Sequence, residues 1–166
     1  MATTFVLRVW TRFACSPDEV WRHRVDGLAP ELASWKHLWL EGDVPVPQDA
    51  LPPEVTTTLK PAGPVLPVKW PVRVTAISPG TSWTDASENA LYARFSHEHA
   101  VEATSDGCRY VDTVTFTPRG RAQKLAAQLT ERMITGRHRA MAKVLPADPQ
   151  ATAVSVLRVR VEDGWT

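Results

Sequence analysis

A chain of 166 residues, 43% hydrophobic and 22% charged, is long enough for one domain with its own core and has an ordinary globular balance. A net charge of +1 provides no overall field for nucleic acid or an anionic surface, and no uninterrupted apolar run is long enough to cross a bilayer. The N-terminus lacks a basic region followed by an apolar run, so no signal peptide is expected. The two isolated cysteines, Cys15 and Cys108, form no close-spaced metal or redox motif. These features predict a cytoplasmic protein with buried, reduced thiols.

Residues 5–15 alternate, with Phe5, Leu7, Val9 and Phe13 on one face and Arg8 and Arg12 on the other, which predicts a half-buried strand. A helix follows in "SPDEVWRHRVDG": Ser16 is the N-cap, Pro17 fits the first helical position and Glu19 completes a capping box. Residues 30–36 suggest a second short helix, and 36–41 a short strand. The segment 45–67 holds seven of the 14 prolines, so it is expected to be mostly loop or edge structure, either a plain connection or a lid. Residues 67–77 form the next strand, with Trp70, Val72, Val74 and Ala76 in phase, and 82–88 another.

Residues 91–103 and 108–117 then read as a hairpin around Asp106-Gly107. On its first strand Leu91, Ala93, Phe95, His97, His99 and Val101 share a face, with Tyr92 on the other. On its second strand Tyr110, Asp112, Val114 and Phe116 share a face. Pairing Ser105 with Cys108 sets His99 diagonal to Asp112; pairing Ala103 with Cys108 sets them directly opposite. Either register puts two imidazoles and a carboxylate on the apolar side. From 119 to 145 the period becomes helical, through Ala122, Leu125, Ala126, Leu129, Met133, Ala140, Met141 and Val144, and Pro146 stops the helix. Residues 152–162 suggest a last strand, at an edge, or an ordered tail.

The order predicts an α+β architecture: a curved antiparallel sheet wrapped around a long C-terminal helix, with two short helices after the first strand. Residues 1–146 would form this domain and 147–166 a C-terminal extension. A sheet that grips a helix leaves room between them for a ligand.

The stretches "SPDEVW", "LPVKWPVRVTAISPG" and "WTDASENALYARFSHEHAVEATSDGCRYVDTVTFTPRG" resemble the START-like superfamily, also called polyketide cyclase/dehydrase-like, SRPBCC or Bet v 1-like, with its helix-grip fold. The resemblance spans roughly residues 5–145 and is nearest to a bacterial branch of single-domain proteins. That branch carries an aspartate after an aromatic (Trp83-Thr84-Asp85), His-x-His (His97, His99) and an aspartate before an apolar strand end (Asp112). Ala90-Leu91 and Gly107-Cys108 depart from its usual Gly-Pro and Gly-Thr. The resemblance implies a cavity for an apolar or amphipathic, lipid- or polyketide-like small molecule.

A carboxylate beside an imidazole fixes its tautomer and raises its basicity, so His99 and Asp112 form a candidate acid/base pair. The same residues also fit a structural hydrogen-bond network, histidines at a solvent-open mouth, or the polar end of a ligand cavity. The candidate ligand-binding set is His97, His99, Asp112, Tyr110, Trp70, Trp83, Asp85, Phe95, Phe116 and Met133, whose aromatics serve equally as plain core. His97, His99 and Asp112 would make a two-His-one-carboxylate metal set, but no fourth donor stands out, and no metal is expected. The absence of P-loop, Gly-x-Gly-x-x-Gly, Cys-x-x-Cys and Gly-x-Ser-x-Gly motifs suggests no cofactor.

Two functions follow. The first is a binding module for a hydrophobic small molecule; the second is a cofactor-independent cyclase, dehydratase or isomerase. A third class is a partner-binding protein that uses the basic face of the last helix or the proline-rich segment. The expected state is monomer or homodimer, with no nucleic acid and no membrane insertion.

Overall fold

The computed structural model describes residues 3–24, 38–41, 55–61, 68–120 and 123–160. Among the described residues eight strands form one antiparallel sheet: β1 (Thr3–Phe13), β2 (Leu38–Glu41), β3 (Val55–Pro61), β4 (Val68–Ser78), β5 (Ser82–Ser87), β6 (Tyr92–Thr104), β7 (Gly107–Pro118) and β8 (Ala147–Arg160). Their spatial order is β2-β3-β4-β5-β6-β7-β1-β8. Helix α1 runs through 17–24, and helix α2 spans Gln123–Met141. The curved sheet wraps α2, which packs against β1, β7 and β8, as the helix-grip expectation requires. Among the described residues no helix is long and apolar enough to cross a membrane.

Local chemistry explains most of these elements. At the start of α1 the Ser16 amide and hydroxyl both donate to Glu19 Oε2, each at 2.9 Å, and the Glu19 amide donates back to Ser16 Oγ at 3.3 Å. This reciprocal pair is the expected capping box. β1 alternates as its sequence does, burying Phe5, Leu7, Val9 and Phe13, and it pairs with β7 through Phe5↔Phe116 to Phe13↔Cys108. Both cysteines are buried free thiols, and burial first, then the neighbouring Cys15, pushes the Cys108 thiol up to about 12.

Five expectations are corrected. The proline-rich segment contains a strand, β3, which lies between β2 and β4 rather than at an edge. Its prolines spare the run Val55–Lys60, so the ladder donors there survive. In β4 a register irregularity between Val74 and Ala76 reverses the alternation. Ala76 is consequently exposed, and Ile77 takes the register position opposite Trp83. A second irregularity, between Tyr92 and Arg94, turns Tyr92 into the core instead of outward. The hairpin turn is Ser105-Asp106, not Asp106-Gly107, because Thr104 pairs with Gly107 and Ala103 with Cys108. Gly107 has φ +148°, and a Cβ there would lie 2.1 Å from the Phe13 carbonyl oxygen, so the close approach of β1 demands glycine.

The fifth correction concerns α2. Its buried residues are Ala126, Thr130, Ile134, Thr135, His138 and Met141, whereas Leu125 and Val144 are each 67% exposed. The apolar count favours one stripe, but the helix turns a neighbouring stripe at i, i+4, i+8 inward because polar partners await it on the sheet. Tyr92 OH lies 2.8 Å from Thr130 Oγ1, which itself donates to the Ala126 carbonyl. The helix stops at Met141 with tight i→i+3 bonds from the amides of Lys143 and Val144. Two expectations, the short helix at 30–36 and most of the 45–67 segment, lie outside the described residues. The last strand begins earlier than expected, at Ala147, and pairs with β1.

Candidate functional site

The inner face of the sheet is apolar at both ends and polar in the middle. One buried cluster holds Phe5, Leu7, Val9, Trp70, Tyr92, Phe95, Val114, Phe116, Ala126 and Ile134, with Met133 packed against it. The other holds Phe13, Cys15, Val20, Val101, Cys108, Tyr110 and Met141. Strand alternation places Thr11, His97, His99 and Asp112 between the two, and α2 adds Arg137 and His138 at the same level. The result is a buried polar belt crossing β5, β6, β7, β1 and α2.

Asp112 is its centre. His99 pairs directly opposite it across the β6–β7 ladder. Asp112 Oδ1 lies 3.1 Å from His97 Nε2 and 3.0 Å from His99 Nδ1, contacts of ion-pair distance without aligned hydrogen-bond geometry. Its Oδ2 accepts from Arg137 Nη2 at 3.3 Å and lies 3.3 Å from His138 Nε2. Burial works to raise the Asp112 pKa, but the Arg137 charge, then His97, His99 and the adjacent His138, hold it well below the usual carboxylate range. Asp85 is held down in the same way: burial opposes, and the His99 hydrogen bond outweighs it together with the charges of His97, His99 and Arg137.

A directional hydrogen-bond chain runs beside Asp112. Arg24 Nε donates to Tyr110 OH at 3.0 Å. Tyr110 OH lies 2.8 Å from His99 Nδ1, and His99 Nε2–H donates to Asp85 Oδ2 at 2.9 Å. The ionised Asp85 can only accept, so His99 Nε2 carries a proton. Burial raises the Tyr110 pKa well above its ordinary value, so the phenol keeps its proton. Burial, then the adjacent His99, lowers His97 to about 4, and burial also lowers His138. His138 Nδ1 is 2.9 Å from Thr11 Oγ1, tying α2 to β1. Apart from its histidines the belt carries two carboxylates, Asp85 and Asp112, and two guanidiniums, Arg24 and Arg137, whose formal charges cancel.

The site's edges differ. The Asp85 side chain is 14% exposed and Arg137 10%, while Asp112 and His138 are fully enclosed, so the belt meets its surroundings at the Asp85–Arg137 edge. Trp83 stacks on His99 with ring centroids 4.1 Å apart, and Trp21 meets Trp83 edge-on at 5.3 Å.

Of the sequence-derived candidates, His97, His99, Tyr110, Asp112, Asp85 and Trp83 come together in the belt. Trp70, Phe95, Phe116 and Met133 stand in the neighbouring apolar cluster. Thr11, Arg24, Arg137 and His138 belong to the belt but were not among the candidates. Thr11 had a signal, being in phase between Val9 and Phe13. His138 had one too, at i+4 from Ile134 and i+8 from Thr130. Arg24 lies one helical turn beyond Val20, but a buried arginine has no sequence signature of its own.

The fold is that of START-like, Bet v 1-like proteins. Among solved structures of that fold, a Chromobacterium violaceum protein aligns with TM-score 0.64 and 13% identity, over 86% of this chain and 98% of its own. Norcoclaurine synthase from Thalictrum flavum aligns with TM-score 0.62 and 14% identity, over 86% and 87%. The di-domain ARO/CYC StfQ of the steffimycin biosynthetic pathway aligns with TM-score 0.59 and 12% identity, over 82% of this chain and 49% of its own. The chain belongs to the family described as domain of unknown function DUF8410, whose model matches residues 11–145. No curated protein matches the sequence significantly.

Proposed function

We propose that the protein binds an amphipathic, lipid- or polyketide-like small molecule between the sheet and α2. The ligand's apolar body rests against Trp70, Phe95, Phe116 and Met133, and a ligand oxygen meets the belt at Arg137. One observation carries this reading: Arg137 Nε is buried, and no described residue accepts its hydrogen bond. A buried donor left unmet costs about 1–3 kcal/mol, so a ligand acceptor at that point is strongly favoured. The fold supports it, since solved structures of the same fold include norcoclaurine synthase and the ARO/CYC StfQ, and small-molecule ligands generally sit in concave, mostly apolar interiors. Free Cys15 and Cys108 suit work in the reducing cytoplasm.

Equilibrium dialysis with 2-naphthol and naphthalene tests the proposal, since the two probes differ by one hydroxyl. The wild type should hold 2-naphthol at least about tenfold more tightly, the value of one hydrogen bond to a charged donor. Arg137→Met, assayed at a temperature where its far-UV spectrum matches that of the wild type because it leaves Asp112 without its partner charge, should bring the two probes within about threefold of each other. Equal affinities in the wild type, or a preference that survives Arg137→Met, would remove Arg137 from the site.

The Arg24–Tyr110–His99–Asp85 chain favours a second reading, a cyclase, dehydratase or isomerase in which His99 moves a proton with Asp112 as its counter-charge. Turnover of a bound enolisable ketone, tracked by deuterium exchange at its α-carbon and lost in His99→Gln, would support it. Exchange at the buffer rate would dismiss it.

A further inference from the structure

We propose that Asp85, His97 and His99 form a binding site for a divalent transition-metal ion. One carboxylate oxygen and one ring nitrogen from each histidine all lie within 4.8 Å of one another. The tightest pair, His99 Nε2 and Asp85 Oδ2, is 2.9 Å apart. Two donors each about 2.0–2.1 Å from a shared ion, at angles between 90° and 109°, lie about 2.8–3.4 Å apart, so this pair already has ligand spacing and the third donor has to close in from no more than 4.8 Å. His97 and His99 alternate on β6 and send both rings to one face, where their centroids are 3.7 Å apart. β5 brings Asp85 alongside, opposite His97 in the ladder.

The outer nitrogens are already held. Asp112 Oδ1 lies 3.1 Å from His97 Nε2 and 3.0 Å from His99 Nδ1, and Tyr110 OH lies 2.8 Å from His99 Nδ1. The enclosed Asp112 carboxylate thus lies against one nitrogen of each ring, and metal binding at His99 Nε2 moves that ring's proton to Nδ1, where Asp112 Oδ1 and Tyr110 OH lie within reach to accept it. Carboxylate-backed imidazoles of this kind orient metal ligands and raise their basicity. Two imidazoles and a carboxylate, with no thiolate, suit Zn2+, Co2+, Ni2+ or Fe2+ rather than Mg2+ or Ca2+. Three protein donors leave coordination positions for water or a ligand oxygen, and the Asp85 edge of the belt is the entry.

Arg137 is the opposing feature. Its Nη2 lies 3.5 Å from His97 Nδ1 and 3.3 Å from Nε2. Being nearly equidistant from the two, it meets the imidazole as a whole rather than along one lone pair. An incoming dication must turn this guanidinium aside, so removing it should help the metal.

The experiment is a Co2+ titration of the EDTA-stripped, dialysed full chain, read by visible d–d absorption and by calorimetry, with Mg2+ as the control ion. A saturable 1:1 band is expected, together with a higher melting temperature in Co2+ or Zn2+. Asp85→Asn and His99→Gln should each weaken binding by about 100-fold or more, since each removes or weakens a ligand. Arg137→Met should bind Co2+ at least as tightly as the wild type. No saturable band, a band shared with Mg2+ competition, or one that persists in both Asp85→Asn and His99→Gln would overturn the assignment. Should His99→Gln unfold, Asp85→Asn, at the more open edge, still decides. Because Arg137→Met abolishes the 2-naphthol preference but spares the metal, failure here and failure of the ligand reading are told apart.

Discussion

Replacing Asp112 by alanine removes the carboxylate around which four cationic or polar side chains converge. The residue is fully buried, and its Oδ2 accepts from Arg137 Nη2 at 3.3 Å. At that separation, with an effective dielectric of about 20, the Arg137–Asp112 attraction is about 5 kcal/mol before solvation is counted. Deleting one member of a buried pair leaves the other charge uncompensated, and losses of about 3–5 kcal/mol are typical. Against a domain stability of about 5–15 kcal/mol, this brings the protein close to unfolding at room temperature. Equilibrium urea denaturation at pH 7.5, followed by far-UV circular dichroism, measures it. The double variant Asp112→Leu/Arg137→Met, which removes both charges, should recover at least about 1 kcal/mol over Asp112→Ala. A loss below about 1 kcal/mol for Asp112→Ala would show that solvent screens the pair and that the belt is not a dry network.

Two further outcomes follow from the same structure. Gly107→Ala should destabilise by about 2 kcal/mol or more, because its Cβ meets the Phe13 carbonyl oxygen, whereas Gly80→Ala, in open space at φ +73°, should lose only about 1 kcal/mol. Equal losses in thermal melts would contradict the close β1–hairpin approach. In EDTA, stability should fall on acidification: His97 is lowered to about 4 in the fold, below about 6.5 in the unfolded chain, so the unfolded state takes up the proton first between those values. This group's contribution is fully present above about pH 6.5 and is lost as pH falls towards about 4, on the order of 3 kcal/mol. His138, also lowered, acts in the same direction, and Asp85 and Asp112 extend the decline below about pH 4. A urea midpoint at pH 4.5 equal to that at pH 7.5 would contradict these directions.

Period-2 patterning carried the strands faithfully where the ladders are regular. Phe5, Leu7, Val9, His97, His99 and Asp112 all face as their parity requires. It failed at Ala76 and Tyr92, because one extra residue in a strand inverts every side chain beyond it and leaves no local mark in composition. The α2 stripe was misjudged for a different reason. Counting apolar residues rewards Leu125 and Val144, while the buried stripe is chosen by Tyr92, Thr11 and Asp112, whose partners Thr130, His138 and Arg137 are polar. A polar belt inside a core is most visible to sequence from the strand side, where alternation exposes the anomaly; on α2 only His138, in step with Ile134 and Thr130, carries a comparable signal. The contributions of α1 and α2 depend on packing angles that no spacing records.

The most direct measurement is the arginine Nε–H region of a 1H–15N correlation spectrum of the protein titrated with 2-naphthol and, separately, with naphthalene. The Arg137 Nε–H resonance, assigned by its loss in Arg137→Met, should move with 2-naphthol in step with the dialysis isotherm and stay in place with naphthalene. An Arg137 signal indifferent to both, while the protein still binds them, would place the ligand elsewhere and leave the belt a purely structural network.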